Sequence, residues 1–285
     1  MKLDQKLQQI LDKNIGLIDL RSSEDFIQLH IKGSCSLPWG RMQNSMHELP
    51  ANHVPIIIIG HRDQLTLAEE FLQSKGYQLL DKVIVDSTLL SNIDNQALLE
   101  TGCHSAQLWQ ANPFLQEVIS RVENRVKGRS ALDLAAGAGR DSVYLAKRGW
   151  QTTAVDINED SLQRSEQLAK TNQVELTTLQ RDLEGTPLEP DELSTDLLLV
   201  MRYLHRPLFP AIDQMIRPGG AIIYSTFMVG CEQFGSPRNP NYLLKPGELA
   251  SIFSNFQILV DEERKLADGR PVALFVGIKN AKNPP

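Results

Sequence analysis

Two short stretches hold the residues whose types and spacing suit chemistry. Leu132-Asp-Leu-Ala-Ala-Gly-Ala-Gly-Arg140 runs from an apolar segment into a turn with glycines at 137 and 139. Val155-Asp156-Ile157 ends a second apolar segment in a carboxylate, seventeen residues beyond Gly139. Without a Cβ, the glycines let the backbone bend sharply and come close to a ligand. A helix starting after the turn aims its free N–H groups at the same place, and an acid at the end of the next strand suits the two hydroxyls of a ribose. The pattern reads as a nucleoside-cofactor site in an α/β sheet. A dinucleotide site would want a third glycine where Ser142 stands, and Asp141 puts negative charge where a pyrophosphate would lie.

These residues resemble motif I of the class I S-adenosylmethionine-dependent methyltransferases, and the resemblance continues along the chain. Gln180-Arg-Asp-Leu-Glu184 resembles the acidic turn that meets the adenine, and Arg217-Pro-Gly-Gly-Ala-Ile-Ile223 the turn that opens the fifth strand. The resemblance implies S-adenosyl-L-methionine as cofactor. It implies a turn formed by Gly137 and Gly139, with Ala135 in the usual place of the first glycine. Asp156, beside Ile157, would meet the ribose. Asp182 would accept from the adenine amino group, with a backbone N–H from Leu183. Asp133 would meet the methionine amino group or orient the turn, and Arg140 would contact the methionine carboxylate or lie on the surface. Met201, closing the fourth strand, completes the cofactor set. In similar methyltransferases a segment like Leu108-Trp-Gln-Ala-Asn-Pro-Phe-Leu115 folds over the cofactor. Trp109 or Phe114 would then shield the methyl donor, the alternative being core packing.

The surrounding pattern supplies the elements that must position these groups. Strand-like segments at 131–134, 152–156, 175–179, 196–201 and 221–227 alternate with helical patterns at 141–148, 161–171 and 208–216. Such alternation gives a parallel sheet with right-handed crossovers. Asp268-Gly269 marks a turn between two last strands, 256–262 and 272–278, and we expect the sheet to end in an antiparallel edge strand. The expected fold is α/β: a seven-stranded Rossmann-like methyltransferase sheet preceded by a smaller α/β domain. The boundaries are 1–80 for the first domain, 81–105 for a linker and 106–285 for the second.

The first domain rests on its own motifs. Ile18-Asp-Leu-Arg-Ser-Ser-Glu-Asp-Phe26, followed by His30-Ile-Lys-Gly33, resembles a rhodanese-like domain. Active members place a cysteine after the apolar strand, in a loop C-x-x-G-x-R whose N–H groups cradle a sulfur anion. Here Gly60 stands for the cysteine, Asp63 for the glycine and Leu65 for the arginine. We therefore expect no sulfur transfer and a positioning, gating or stabilising role. Leu3, Leu7, Ile10 and Leu11 fall at helical spacing ahead of it.

Substrate choice should come from the segments after the fourth and fifth strands. Arg202, Tyr203 and His205 sit at a strand end, and Met228–Lys245 forms a long insert that carries Arg238 and suits a lid. These details, with Gly139-Arg-Asp, resemble the tellurite-resistance and thiopurine-type branch of small-molecule methyltransferases. Arg202, His205 and Arg238 would hold a soft anion such as a thiolate by charge, and His205 or Tyr203 would serve as base for an amine or hydroxyl. Alternatives are a protein or RNA methyltransferase with the rhodanese-like domain as adaptor to a protein partner, and a non-catalytic S-adenosylmethionine sensor. The net charge of −6 argues against broad nucleic-acid or anionic-membrane binding. The longest aliphatic run, Ile56 to Ile59, is far too short to span a bilayer, and the first ten residues lack an apolar signal core. Three cysteines, 35, 103 and 231, share no metal-ligand spacing. A reduced cytoplasm is the expected setting and no metal is expected.

Overall fold

The structure, a computed structural model, describes residues 15–85, 96–185 and 193–281. The helical pattern of Leu3 to Leu11 lies outside them. The chain forms two compact units that part between Gln110 and Ala111.

In the first unit, β1 (Gly16–Asp19), α1 (Ser23–Gln28), β2 (His30–Ile31), β3 (Cys35–Ser36), α2 (Trp39–Met42), β4 (Ile56–Gly60), α3 (Arg62–Ser74), β5 (Leu79–Ile84) and β6 (Leu99–Glu100) succeed one another in order. Four of the strands form a parallel sheet in the order β3-β1-β4-β5. The run Ile56–Ile59 is fully interior, as a strand covered on both faces requires. Ser22 caps α1 by accepting the Asp25 N–H at 3.1 Å. The boundaries read from sequence shift here. The strand β5 crosses position 80, and β6 pairs with β2. The Ser105 hydroxyl accepts the Ser36 N–H at 2.9 Å. Hydrogen bonding thus ties the described part of 81–105 into the first unit; Asp86 to Asn95 lie outside the described residues.

The second unit runs α4 (Pro113–Glu123), β7 (Ser130–Leu134), α5 (Arg140–Lys147), β8 (Gln151–Asp156), α6 (Glu159–Thr171), β9 (Thr177–Gln180), β10 (Thr195–Met201), α7 (Phe209–Met215), β11 (Ile216–Phe227), α8 (Glu248–Ile252), β12 (Phe256–Lys265) and β13 (Pro271–Lys279). The seven strands lie in the order β12-β13-β11-β10-β7-β8-β9. Pairing is parallel from β9 through β11, and β13 runs antiparallel between β11 and β12. The antiparallel strand is therefore one in from the edge, a correction to the expected edge position. Composition explains it. Val272–Ile278 is buried throughout, whereas β12 carries Asp261, Glu262, Glu263, Arg264 and Lys265, charges that suit an exposed edge.

Two cores sandwich the sheet. Leu197 and Leu199 of β10 join α4 residues Phe114, Leu115, Val118 and Val122 on one face. Leu198 and Val200 join Phe209, Phe253 and Phe275 on the other. Phe114 is thus a core residue, which resolves its alternatives. The chain passes from β7 outward through β8 and β9, then crosses to β10 on the opposite side of β7. Ligands of open α/β sheets collect at such a reversal, outside the carboxyl ends of the strands. Among the described residues no helix is long and apolar enough to cross a membrane.

Candidate functional site

The glycine turn leaves β7 through three residues in the left-handed region: Ala135 (φ 57°), Gly137 (φ 55°) and Gly139 (φ 75°). At Gly139 a second demand applies, because a Cβ there would lie 2.3 Å from the Ser165 Cβ of α6. Asp156, at the end of β8, fastens the turn. Its Oδ2 accepts the Gly137 N–H at 2.8 Å and its Oδ1 the Asn158 N–H at 2.9 Å. Sequence alone suggests few structural reasons for an acid at this position; the structure gives it two. Each oxygen keeps acceptor capacity for a further donor.

Asp133 and Asp141 form the inner wall. Asp133 is buried and accepts the Ser142 hydroxyl at 2.5 Å. Burial, then the Asp141 charge, push its carboxyl well above the ordinary aspartate range. Asp141 accepts the Asn112 N–H at 2.6 Å, tying the start of α4 to the start of α5. Burial raises its carboxyl too, against the pull of the Asn112 bond and the Arg140 and Arg202 charges. Sequence reasoning used Asp141 only to reject a pyrophosphate; its aspartate at the first helical turn was the available signal. Arg140 and Arg202 are both exposed, and Arg202 is also left-handed (φ 61°), its N–H held by the Ser225 carbonyl at 2.6 Å.

On the other side of Asp156, Ile157 is 60% exposed, an apolar surface beside the acid. Asp182 is half-buried, its Oδ1 accepting the Glu184 N–H at 2.9 Å, and Leu183 is buried. Met201 is half-buried against the α4 core. Tyr203 is half-buried, with its hydroxyl shut off from solvent and without a partner. Burial, then the Glu184, Asp182, Tyr242 and Asp156 groups, push its phenol above the ordinary tyrosine range. Such a phenol keeps its proton at neutral pH, which speaks against the base role considered for it.

His205 is half-buried just before Arg206. Arg206 holds the insert. It grips Glu248 through Nε at 2.6 Å and Nη2 at 2.9 Å, and donates to the Asn241 and Leu243 carbonyls at 2.9 Å each. Leu244 and Phe227 close the base of the insert with a backbone bond of 2.9 Å, beside a bridge between Met228 and Leu244. Towards its tip the Ser236 carbonyl accepts from Arg270 at 2.9 Å. Arg238 is exposed. Trp109 is buried and belongs to the first unit.

In the first unit, α3 starts directly after β4. The Gln64 side chain accepts the His61 N–H at 3.3 Å, and the His61 ring meets the Val85 carbonyl at 3.0 Å. The N–H at 61 is thus used locally. Cys35 is buried and its thiol is pushed up to about 11, chiefly by burial. Among the described residues no cluster of His, Cys, Asp or Glu is arranged to hold a metal.

Comparison with known proteins agrees with this division. The family model described as methyltransferase domain matches residues 131–220, and that described as rhodanese-like domain matches 3–85. An uncharacterized protein of Schizosaccharomyces pombe, UNK4.09, is 24% identical over 93% of this chain and 94% of its own length. A 23S rRNA (uracil(747)-C(5))-methyltransferase of Pyrococcus horikoshii is 25% identical over 60% of this chain. That match spans 45% of the archaeal protein, less than half its length. The crystal structure of TehB from Haemophilus influenzae aligns with 58% of this chain and 62% of its own, at 18% identity and a TM-score of 0.49.

The second unit carries a methyltransferase domain, with S-adenosylmethionine as its cofactor. The chain is an S-adenosylmethionine-dependent methyltransferase that carries a rhodanese-like domain ahead of it, without a cysteine at the end of β4. The groups at the ends of β8, β9 and β10 suit the cofactor in hydrogen-bonding chemistry. Carboxylate acceptors stand at 156 and 182, an exposed apolar side chain at 157, and an unpaired buried donor at 203.

Proposed function

We propose that this methyltransferase acts on a small molecule that reacts as an anion, such as a thiolate. The observation that carries this reading is Arg202, an exposed cation held in a left-handed conformation at the end of β10, in the field of Asp141 at the glycine turn. Strained backbone of this kind persists where surrounding structure enforces it, and it clusters at functional sites.

The cofactor, when bound, supplies a methyl group already activated on a sulfonium. The chain's task is to hold, align and exclude water. Asp156 and Asp182 would accept from the ribose and adenine, beside Ile157 and Leu183. Gly137, Gly139 and Ala135 would line the approach, with Asp133, Arg140 and Met201 at the methionine end. Arg202, His205 and Arg238 would draw in the acceptor by charge. An acceptor that arrives ionised needs no base, which agrees with a Tyr203 phenol that keeps its proton. The rhodanese-like unit would act as a positioning module.

Incubating the protein with a metabolite extract and methyl-labelled cofactor tests this. Label in a small product supports the reading. Label in RNA or protein selects the adaptor alternative, and binding without any transfer selects the sensor.

A further inference from the structure

Two buried side-chain donors at the carboxyl end of the large sheet lack a partner among the described residues: Arg181 Nε, just after β9, and the Tyr203 hydroxyl, just after β10. The Tyr203 ring packs on the core cluster that includes Leu134, Val155 and Leu183, the residues beneath Asp156 and Asp182. Its main chain is pinned. The Tyr203 carbonyl accepts the Tyr224 hydroxyl at 2.9 Å, and Arg202 before it is fixed to Ser225. The phenol feels the charges of Asp156, Asp182 and Glu184.

Of the neighbouring groups, Glu184, Asp182 and Asp156 are carboxylate acceptors, and Tyr242 carries a hydroxyl that accepts or donates. Burial, with Glu184, Asp182 and Asp156 nearby, keeps the proton on the phenol, so the hydroxyl donates. Adenosine offers both kinds of group: its ribose hydroxyls and exocyclic amine donate, and its ring nitrogens and ribose ether oxygen accept. Ionised carboxylates only accept. Asp156 and Asp182 can serve the adenosine donors, and beyond the one backbone N–H of Leu183 its several acceptors call for a further donor.

We propose that the Tyr203 hydroxyl completes the adenosine site by donating to an acceptor of the adenosine moiety, and takes no part in handling the methyl acceptor. This rests on the cleft binding S-adenosylmethionine. A buried donor left unpaired is costly, and the ligand relieves that cost.

Calorimetry with S-adenosylhomocysteine and with 5′-methylthioadenosine, which lacks the amino-acid end, tests the assignment on wild type and Tyr203→Phe. Both ligands should lose the same factor, about 3- to 10-fold, the range for one neutral hydrogen bond. The free variant should melt no lower than wild type, since the substitution removes only the unpaired hydroxyl. Unchanged dissociation constants overturn the proposal, as does a loss confined to S-adenosylhomocysteine, which would put the hydroxyl at the amino-acid end. Wild type that binds neither ligand overturns the cofactor reading itself, and this assignment with it.

Discussion

Ala135 shows how a single methyl group can work against a turn. At φ 57° it sits where an L side chain crowds its own backbone. Ala135→Gly should stabilise the protein by about 0.5–1 kcal/mol, the relieved strain exceeding the extra entropy glycine gains on unfolding. A urea melt checks it; a less stable variant would show that the methyl packs usefully. Asp133 makes a second case. Its folded-state pKa is raised, so its ionised form opposes folding. The penalty is present in full above that raised value. It is relieved as the pH falls through it towards the ordinary carboxylate range. Asp133→Asn should therefore gain stability relative to wild type at higher pH, with the gap shrinking on acidification. Parallel melts across pH test this, and a constant gap refutes it. The glycine turn and Asp156 were legible in the sequence because residues close in the chain specify them. The bond of Asp141 with Asn112, and the influence of the Asp182 charge on Tyr203, join segments far apart in sequence, and no local pattern encodes them.

Among the elements, the Met228–Lys245 insert suits a lid by its length and its glycines and prolines. The structure adds what fixes it. Arg206 binds Glu248 and two carbonyls of the insert, and Leu243 and Cys231 sink into the core. Any movement then belongs to the exposed stretch between residues 233 and 241. Arg206→Ala should cost about 1–2 kcal/mol, the scale of charge-assisted bonds at a partly exposed site. It should also speed proteolytic cutting within that stretch. Unchanged cleavage would mean that the core residues alone anchor the insert. Strands and helices of the second unit were legible to within a few residues because hydrophobic runs track each element's period. The place of β13 inside the sheet was not, since strand order depends on which neighbours bury a strand, and only the charge-free run Val272–Ile278 against the charged β12 hints at it.

At the scale of the whole molecule, two α/β units with different chemistry share one chain. The first has no thiol at the end of β4, an aspartate in the first turn of α3, and its Cys35 buried with a thiol raised to about 11. Thiosulfate should yield no thiocyanate from cyanide above background, and Cys35→Ser should leave that result unchanged. Activity that Cys35→Ser abolishes would identify Cys35 as a nucleophile after all. We propose that the second unit holds S-adenosylmethionine at the carboxyl ends of β7, β8 and β9 through Asp156. Titration calorimetry of S-adenosylhomocysteine into wild type and a folded Asp156→Asn variant tests it directly. Wild type should bind, and the variant should bind more weakly by about 1.5–3 kcal/mol, roughly tenfold or more, as expected for a lost charge-assisted bond. Equal affinity in the two proteins would contradict it.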